Sequence, residues 1–368
     1  MNRREFLRCV AGAGCLAFAG AIGRSAIRES DARRSAVRFL ASRQSADGAW
    51  RSSHYGAFRE GDALTPVVLW ALGGLDSPAA ARGHRWLERL TETQAAQPEP
   101  WSGLAYPLFT ASYSAQFFGA GGDTARAGFW AGVVEHLRIR AELGWPEGDA
   151  ACGAWSDSPA PPHLLEPSLP APDMLAPNLS ATVLGVQALA AVGKLDEAAA
   201  RPFVEQCQNF SSADSGEFDD GGFFFAPGDP VRNKAGIAGR DAAGRNRFRS
   251  YGSATCDGYL ALRACGLAKD HPRVRAAAAW LRRCGEGQWA AGRDAARESL
   301  VFYRAQALAA VLTDSHDVRL ARALADDLIS RQASDGSWQG EASASCEDDP
   351  LLATAFALRA LRAIPAFA

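Results

Sequence analysis

The chain has 368 residues, of which 48% are hydrophobic and 22% are charged, a balance typical of a folded globular protein. Its formal net charge of −2 excludes the strongly basic surface on which nucleic-acid binding depends, so no nucleic-acid partner is expected. A chain of this length forms either two domains of average size or one large domain built from repeats.

The first residues have the pattern of an export signal. A twin arginine at positions 3–4 is followed by Phe-Leu and by a weakly apolar run of small residues, 9–22. This order resembles a twin-arginine signal, and the run is shorter than a membrane span. We therefore expect residues 1–32 to be signal and linker, and residues 33–368 to be one domain outside the cytoplasm, for example in the periplasm. A basic tail ahead of an irregular helix is the alternative, and contact with a membrane surface is left open.

Loss of the signal would leave six cysteines in the mature chain. None of them forms a Cys-x-x-Cys pair, so the sequence predicts no structural zinc site. Disulfide pairing and lipid attachment at Cys15 are left open. The six are Cys152, Cys207, Cys256, Cys265, Cys284 and Cys346.

Two matched heptapeptides stand near opposite ends of the mature chain. Residues 44–50 read Gln-Ser-Ala-Asp-Gly-Ala-Trp, and residues 332–338 read Gln-Ala-Ser-Asp-Gly-Ser-Trp. Each follows an amphipathic helical run and precedes a more uniformly apolar one. Matched segments of this kind are typical of a repeat protein.

The mature chain divides into six units that share this plan. Each has an amphipathic helix, then a loop with glycine and aromatic residues, then an apolar helix. In the first unit Ala36, Val37 and Leu40 lie on one helical face, and Pro66 fits the first turn of the apolar helix. The predicted apolar helices cover residues 64–72, 106–118, 179–189, 251–262, 300–308 and 351–358.

The contrast between the two kinds of helix predicts an all-α fold. A helix with one apolar stripe covers a surface, whereas a helix that is apolar nearly all round must be enclosed. Alternation of the two types gives an inner ring of buried helices inside an outer ring of amphipathic ones. Because each pair needs neighbours to bury its apolar face, six helical hairpins are expected to close into an α/α toroid with a central cavity.

Two connections are longer than the others. The proline-rich segment 159–177 is predicted to be a surface loop without a helix. The polar segment 228–249 carries more arginine and lysine than acid, which indicates either a solvated loop or a place for a diphosphate.

The Gln-x-x-x-Gly-x-Trp loops resemble the repeats of the squalene cyclase and protein prenyltransferase β-subunit superfamily. Residues 221–267 and 336–358 are similar to prenyltransferase/squalene-oxidase repeats, and the likeness spans roughly residues 33–364. The resemblance implies that the Gln and Trp side chains tie neighbouring units together. It also implies an isomerase that cyclises an isoprenoid lipid without a cofactor. In such an enzyme a carboxylic acid in a dry cavity protonates a double bond or epoxide, and aromatic faces stabilise the carbocations.

Four acidic residues are the catalytic candidates. The family marks its acid with Asp-x-Asp-Asp, which this chain lacks, and the nearest cluster is Glu347-Asp348-Asp349 ahead of the last apolar helix. Acids at that position also complement a helix dipole without any catalytic role. Asp257 lies inside an apolar helix, where a lone carboxylate is costly and burial raises its pKa. It is either the acid or the partner of an arginine such as Arg263 or Arg304.

Aromatic residues of the apolar helices are the substrate-binding candidates, with core packing as the alternative. The order Cys256-Asp257 does not match the Asp-x-Cys of zinc prenyltransferases, so neither a metal nor another cofactor is predicted. Two functions stay open: cyclisation of an isoprenoid, and a non-catalytic toroid that binds a lipid, glycan or protein. The aromatic candidates are Trp70, Tyr106, Tyr251, Tyr259, Tyr303 and Phe356.

Overall fold

The computed structural model describes residues 28–166, 171–211, 216–285, 300–341 and 343–364. The predicted export signal and Cys15 lie outside these residues. The described part contains twelve α-helices, six of them outer and six inner. The outer helices are α1 (residues 28–42), α3 (Pro78–Ala95), α5 (Thr124–His136), α7 (Glu197–Gln206), α9 (Pro272–Gly285) and α11 (Val318–Ser330). The inner helices are α2 (Leu64–Leu72), α4 (Pro107–Ala120), α6 (Leu179–Ala191), α8 (Gly252–Ala264), α10 (Val301–Ser315) and α12 (Pro350–Ala363).

The inner helices form a closed ring. Each of them contacts the next, from α2 through α4, α6, α8 and α10 to α12, and α12 packs back against α2. Most of their residues are buried, because an outer helix covers one side of each and two inner neighbours flank it. The predicted all-α toroid of six helical hairpins is confirmed.

The repeated tryptophans join the two helices of a unit. In the first unit the Trp50 indole donates to Leu40 O of α1 at 2.7 Å, and the Trp50 amide donates to Thr65 Oγ1 of α2 at 3.0 Å. Trp338 makes the same pair of bonds in the last unit, to Leu328 O at 2.7 Å and Thr354 Oγ1 at 3.0 Å. One buried tryptophan thus fixes the loop to both helices, through its indole on one side and its backbone amide on the other.

The repeated glutamines join one unit to the next. Gln44 Nε2 donates within its own loop to Gly48 O at 2.8 Å, and also to Ala79 O of the next outer helix at 2.8 Å. Gln332 Nε2 donates to Gly336 O at 3.0 Å and to Ala32 O at 2.9 Å. Because Ala32 belongs to the first helix, this second bond of Gln332 closes the ring between the ends of the chain.

A third loop makes equivalent hydrogen bonds, although it lacks the spacing of the heptapeptides. Gln208 Nε2 donates to Gly221 O at 3.0 Å and to Arg273 O at 2.9 Å. Phe223 takes the place of the tryptophan, and its amide donates to Thr255 Oγ1 at 3.0 Å. The extra residues between Gln208 and Gly221 hide this repeat in the sequence.

We expect Gly336→Ala to weaken the contact between the last loop and the first helix, which closes the ring. Gly336 has φ +92°, and an alanine Cβ there would lie 2.5 Å from Ser35 O. The positive φ alone costs about 1–2 kcal/mol, and the overlap adds about 1–3 kcal/mol. The control is Gly122→Ala, where φ is +79° but nothing lies within 4 Å of the new Cβ. Urea denaturation should show a clearly larger loss for Gly336→Ala, and equal losses would contradict the closure.

The two long connections differ in structure. The described residues of the proline-rich insertion contain no α-helix, as predicted. The polar segment instead contains an antiparallel hairpin of β1 (Ile237–Arg240) and β2 (Asn246–Phe248). Phe248 is buried and its ring packs at 5.5 Å from that of Phe224. This apolar contact anchors the hairpin. Its two strands are too short for an alternation of polar and apolar residues to reveal them in the sequence.

Within the described residues, no helix is both long and apolar enough to cross a membrane. The same residues contain no group of three or more His, Cys, Asp or Glu side chains placed to hold a metal ion.

Candidate active site

The inner helices present side chains to the ring centre in two layers. In α2, α6, α8 and α12 the threonine that receives the loop amide sets the register, because the second and fifth residues after it lie on one helical face. In α4 and α10 the contacts of Tyr113 with Trp70 and of Tyr303 with Asp257 set it. The first layer, defined by position, comprises Val67, Tyr113, Leu184, Asp257, Tyr303 and Phe356. The second layer lies three residues further along each helix and comprises Trp70, Gln116, Gln187, Leu260, Gln306 and Arg359.

Contacts between helices support this register. The Tyr303 and Phe356 rings of the first layer lie 5.7 Å apart across α10 and α12. In the second layer the Arg359 guanidinium lies 4.3 Å from the centre of the Trp70 ring, across α12 and α2. The Tyr113 ring, 5.0 Å from that of Trp70, connects the layers. All six members of the second layer are partly exposed, although inner and outer helices surround them, so solvent has access to the ring centre at this layer.

Asp257 is the acid of the first layer, and its side chain is 1% exposed. The Tyr303 hydroxyl of α10 donates to Oδ1 at 3.0 Å, and the Ser180 hydroxyl of α6 donates to Oδ2 at 3.2 Å. Three consecutive inner helices therefore meet at this carboxyl. In place of an Asp257–Arg263 pair, Arg263 is bound to Asp314 at 3.0 Å.

Burial raises the pKa of Asp257 to about 7, while the hydrogen bonds from Tyr303 and Ser180 act in the opposite direction. Burial disfavours the charged form, whereas donors aimed at the carboxylate favour it. Near neutral pH the group thus holds its proton for a large part of the time. It can release that proton to an acceptor because two hydroxyls stabilise the carboxylate that remains.

The charge of Asp257 also affects the pKa of two further tyrosines. Burial raises the pKa of both Tyr113 and Tyr251, and the negative charge of Asp257 raises them further. Both phenols are therefore neutral under ordinary conditions and act as hydroxyl groups with aromatic faces. Tyr251 precedes α8 at its N-cap position, so it stands at the N-terminal side of the acid.

The three acids of the cluster before α12 each contact a different group. Glu347 accepts hydrogen bonds from the backbone amides of Phe302 at 2.9 Å and Tyr303 at 2.7 Å. These are first-turn amides of α10 that have no partner within the helix. Burial raises the pKa of Glu347 to about 7, against the effect of these bonds.

The other two acids of the cluster also make local contacts. Asp349 is the N-cap of α12 and accepts from the Leu351 amide at 2.8 Å. Asp348 accepts from the hydroxyl of Tyr55. The structure therefore brings neither of them into the layer that holds Asp257.

Two of the aromatic candidates lie away from Asp257. Tyr106 is 42% exposed and packs on Phe58 with 5.8 Å between ring centres, just before α4. Tyr259 is two residues beyond Asp257 and therefore on another side of α8, where its hydroxyl donates to Asp314 at 2.7 Å. Trp70, Tyr303 and Phe356 belong to the two layers.

Several residues around the ring centre were not predicted from the sequence. Ser180 and the glutamines of the second layer lie in apolar helices without a motif of their own. Each glutamine lies three residues after a first-layer residue, and only Gln187 also shares the register set by a threonine, Thr182. The glutamines are Gln116, Gln187 and Gln306.

No protein-family model and no curated protein matches the sequence. Solved structures do match it. The type II terpene cyclase MstE from Scytonema, in complex with the substrate geranylgeranyl dihydroxybenzoate, is similar at 17% identity and a TM-score of 0.61, over 94% of this chain and 99% of that one. Its complex with the product merosterolic acid A gives 17% identity and 0.58 over 92% and 98%, and its apo form 17% identity and 0.56 over 91% and 97%. The chain thus has the α/α-toroid fold of the terpenoid cyclases.

Proposed function

We propose that this protein is an isomerase that cyclises an isoprenoid lipid, with Asp257 as the proton donor. The observation that carries the proposal is the geometry of Asp257. It is a buried carboxyl at the ring centre, and two hydroxyls from neighbouring helices hold it. A general acid works best when its pKa is close to the working pH, and the pKa of Asp257 is about 7.

Each residue of the site has a separate role in the proposed reaction. The Asp257 O–H bond breaks as its proton adds to a terminal double bond or epoxide of the bound chain, and a carbocation forms. The hydroxyls of Tyr303 and Ser180 stabilise the carboxylate left behind. Aromatic faces of Trp70 and Phe356 stabilise positive charge as it moves along the folded chain. Loss of a proton from the last cation restores the proton count, so the product is an isomer of the substrate.

The solved structures support the substrate class. The one protein of this fold described above, MstE, is a terpene cyclase whose structures contain the substrate geranylgeranyl dihydroxybenzoate or the product merosterolic acid A. An apolar cavity lined with aromatic side chains suits such a chain.

The test is a conversion assay in heavy water. Purified mature protein is incubated with squalene, oxidosqualene, geranylgeranyl diphosphate and geranylgeranyl dihydroxybenzoate, and the products are analysed by mass spectrometry. We expect one substrate to give a cyclic isomer in light water and the same isomer with one added deuterium in heavy water. Failure of all four substrates would contradict the proposal and favour a protein that only binds a lipid, glycan or protein partner.

We propose that the folded protein leaves the cytoplasm by the twin-arginine route, as the first residues indicate. Replacement of Arg3 and Arg4 by lysine should block transport, because the receptor of this route reads the arginine pair. In fractionated cells, wild-type protein is expected outside the cytoplasm in a shortened form, and the double variant inside at full length. Equal distribution of the two would contradict export by this route.

A further inference from the structure

Arg359 is a cation of the ring centre that the proposed protonation does not use. It belongs to the second layer, on α12, and its guanidinium stacks on Trp70 at 4.3 Å. Among the residues that the structure describes, no carboxylate lies within ion-pair distance of it. The neighbouring arginine differs, since Arg362 donates to the carbonyls of Ala71 and Gly73 at the end of α2.

A partly buried guanidinium is expensive without a partner. Burial lowers the pKa of Arg359, yet an arginine stays protonated in proteins. Its stacking on Trp70 leaves the edge of the guanidinium, which carries the N–H donors, available for another group. A carboxylate fits this edge with two parallel hydrogen bonds. The positive charge therefore calls for an anion in the cavity.

The same layer supplies neutral hydrogen-bonding groups. Gln116, Gln187 and Gln306 each lie three residues after a first-layer residue of their helix and are partly exposed. The side chains of Gln187 and Gln306 make no hydrogen bond to any described residue, while Gln116 donates to Ser112 O at 3.2 Å. Beside Arg359, these carboxamides are ready to bind oxygen atoms of a ligand.

We propose that the second layer binds the head group of the substrate, and that this head group is a monoanionic carboxylate on an isoprenoid chain. Arg359 pairs with the carboxylate, Trp70 fixes the plane of the guanidinium, and the glutamines bind remaining oxygens. Arg359 is the one charged member of the layer, so its charge matches one negative charge and not the several of a diphosphate. This inference rests on the proposed function for the isoprenoid nature of the chain.

The position of the subsite orients the ligand. The two layers are three residues apart along each helix, which corresponds to about 4.5 Å along the ring axis. Tyr113 lies close enough to feel the charge of both Asp257 and Arg359. A chain anchored at Arg359 must therefore bend back on itself at the ring centre to bring its far double bond to Asp257.

Binding of saturated ligands tests the subsite separately from catalysis. Phytanic acid and phytanol have the same branched saturated C20 skeleton and differ only in the head group, and neither has a double bond to protonate. Calorimetric titration of the wild type should show phytanic acid bound about tenfold more tightly than phytanol, in line with a charge-assisted pair. Equal affinities, or tighter binding of phytanyl diphosphate than of the acid, would overturn the assignment.

Variants locate the effect. Arg359→Met keeps the volume and removes the charge, so the preference for the acid should disappear while phytanol affinity stays within about twofold. Arg359→Lys should keep part of the preference, and Arg38→Met, on the exposed face of α1, should keep all of it. If Arg359→Met weakens both ligands equally at unchanged thermal stability, the residue only supports the cavity and the proposal fails.

One more variant separates this proposal from the cyclase itself. Asp257→Asn should bind phytanic acid as the wild type does, because the acid and the subsite lie in different layers. Phytanic acid bound through Arg359 in a protein that converts none of the four substrates would retain the subsite and reject the enzyme. Conversion without any preference for the acid would retain the enzyme and reject the subsite.

Discussion

Asp257→Asn is expected to lower the turnover of the converted isoprenoid by roughly 10²- to 10⁴-fold, the usual contribution of a general acid. Asparagine has the shape of aspartate, and its one side-chain oxygen can accept a bond from Tyr303 or from Ser180, while its NH2 group can donate to the other hydroxyl. It has no acidic proton to transfer. The loss should therefore fall on the chemical step, with substrate affinity nearly unchanged, and single-turnover kinetics would separate the two.

The acidic cluster before α12 supplies matched controls for this experiment. Glu347→Gln keeps one oxygen, which can accept from the Phe302 amide or from the Tyr303 amide but not from both. Asp349→Asn keeps the cap of α12, since asparagine is as good an N-cap as aspartate. Both variants should retain activity within about threefold. If Glu347→Gln lost as much activity as Asp257→Asn, Glu347 would be the proton donor instead of Asp257.

The fold could be predicted from the sequence because the patterns that determine it are local. Apolar runs as long as residues 179–189 cannot face water on any side, and their alternation with striped helices defines the two rings. The observed bounds of α6, Leu179–Ala191, differ from the predicted ones by only two residues at one end. The heptapeptide loops added the order of the units, because Trp and Gln have the same contacts in the first and last copies.

The site was readable only in part because its contacts are distant in sequence. Asp257 could be selected as an acid in an apolar helix, but its partners Tyr303 and Ser180 are 46 and 77 residues away. Only closure of the ring brings α6, α8 and α10 to one point. Periodicity reports how a helix faces its own surface and does not report which residue lies opposite. Arg359 was not predicted for the same reason, since an arginine near the end of a helix is ordinary until Trp70 is known to lie against it.

Loss of the buried charge should make Asp257→Asn more stable than the wild type in alkaline solution. Burial raises the pKa of Asp257 from its ordinary value of 3.8 to about 7 in the folded protein. As the pH rises from about 4 to about 7, the unfolded chain releases this proton and the folded protein keeps it. The wild type therefore loses stability across that window, and each pKa unit is worth about 1.4 kcal/mol. The asparagine variant has no proton at this position and escapes the loss.

Urea denaturation at two pH values isolates this effect. The stability of Asp257→Asn minus that of the wild type should grow by roughly 3 kcal/mol between pH 5 and pH 8. A pH-independent gain or loss from the new amide cancels in this comparison. Asp76→Asn, which changes an exposed carboxylate, should show a difference that stays constant with pH. A constant difference for Asp257→Asn would mean that the carboxyl is ionised at neutral pH in the folded protein, and a carboxyl in that state has no proton to give to an alkene.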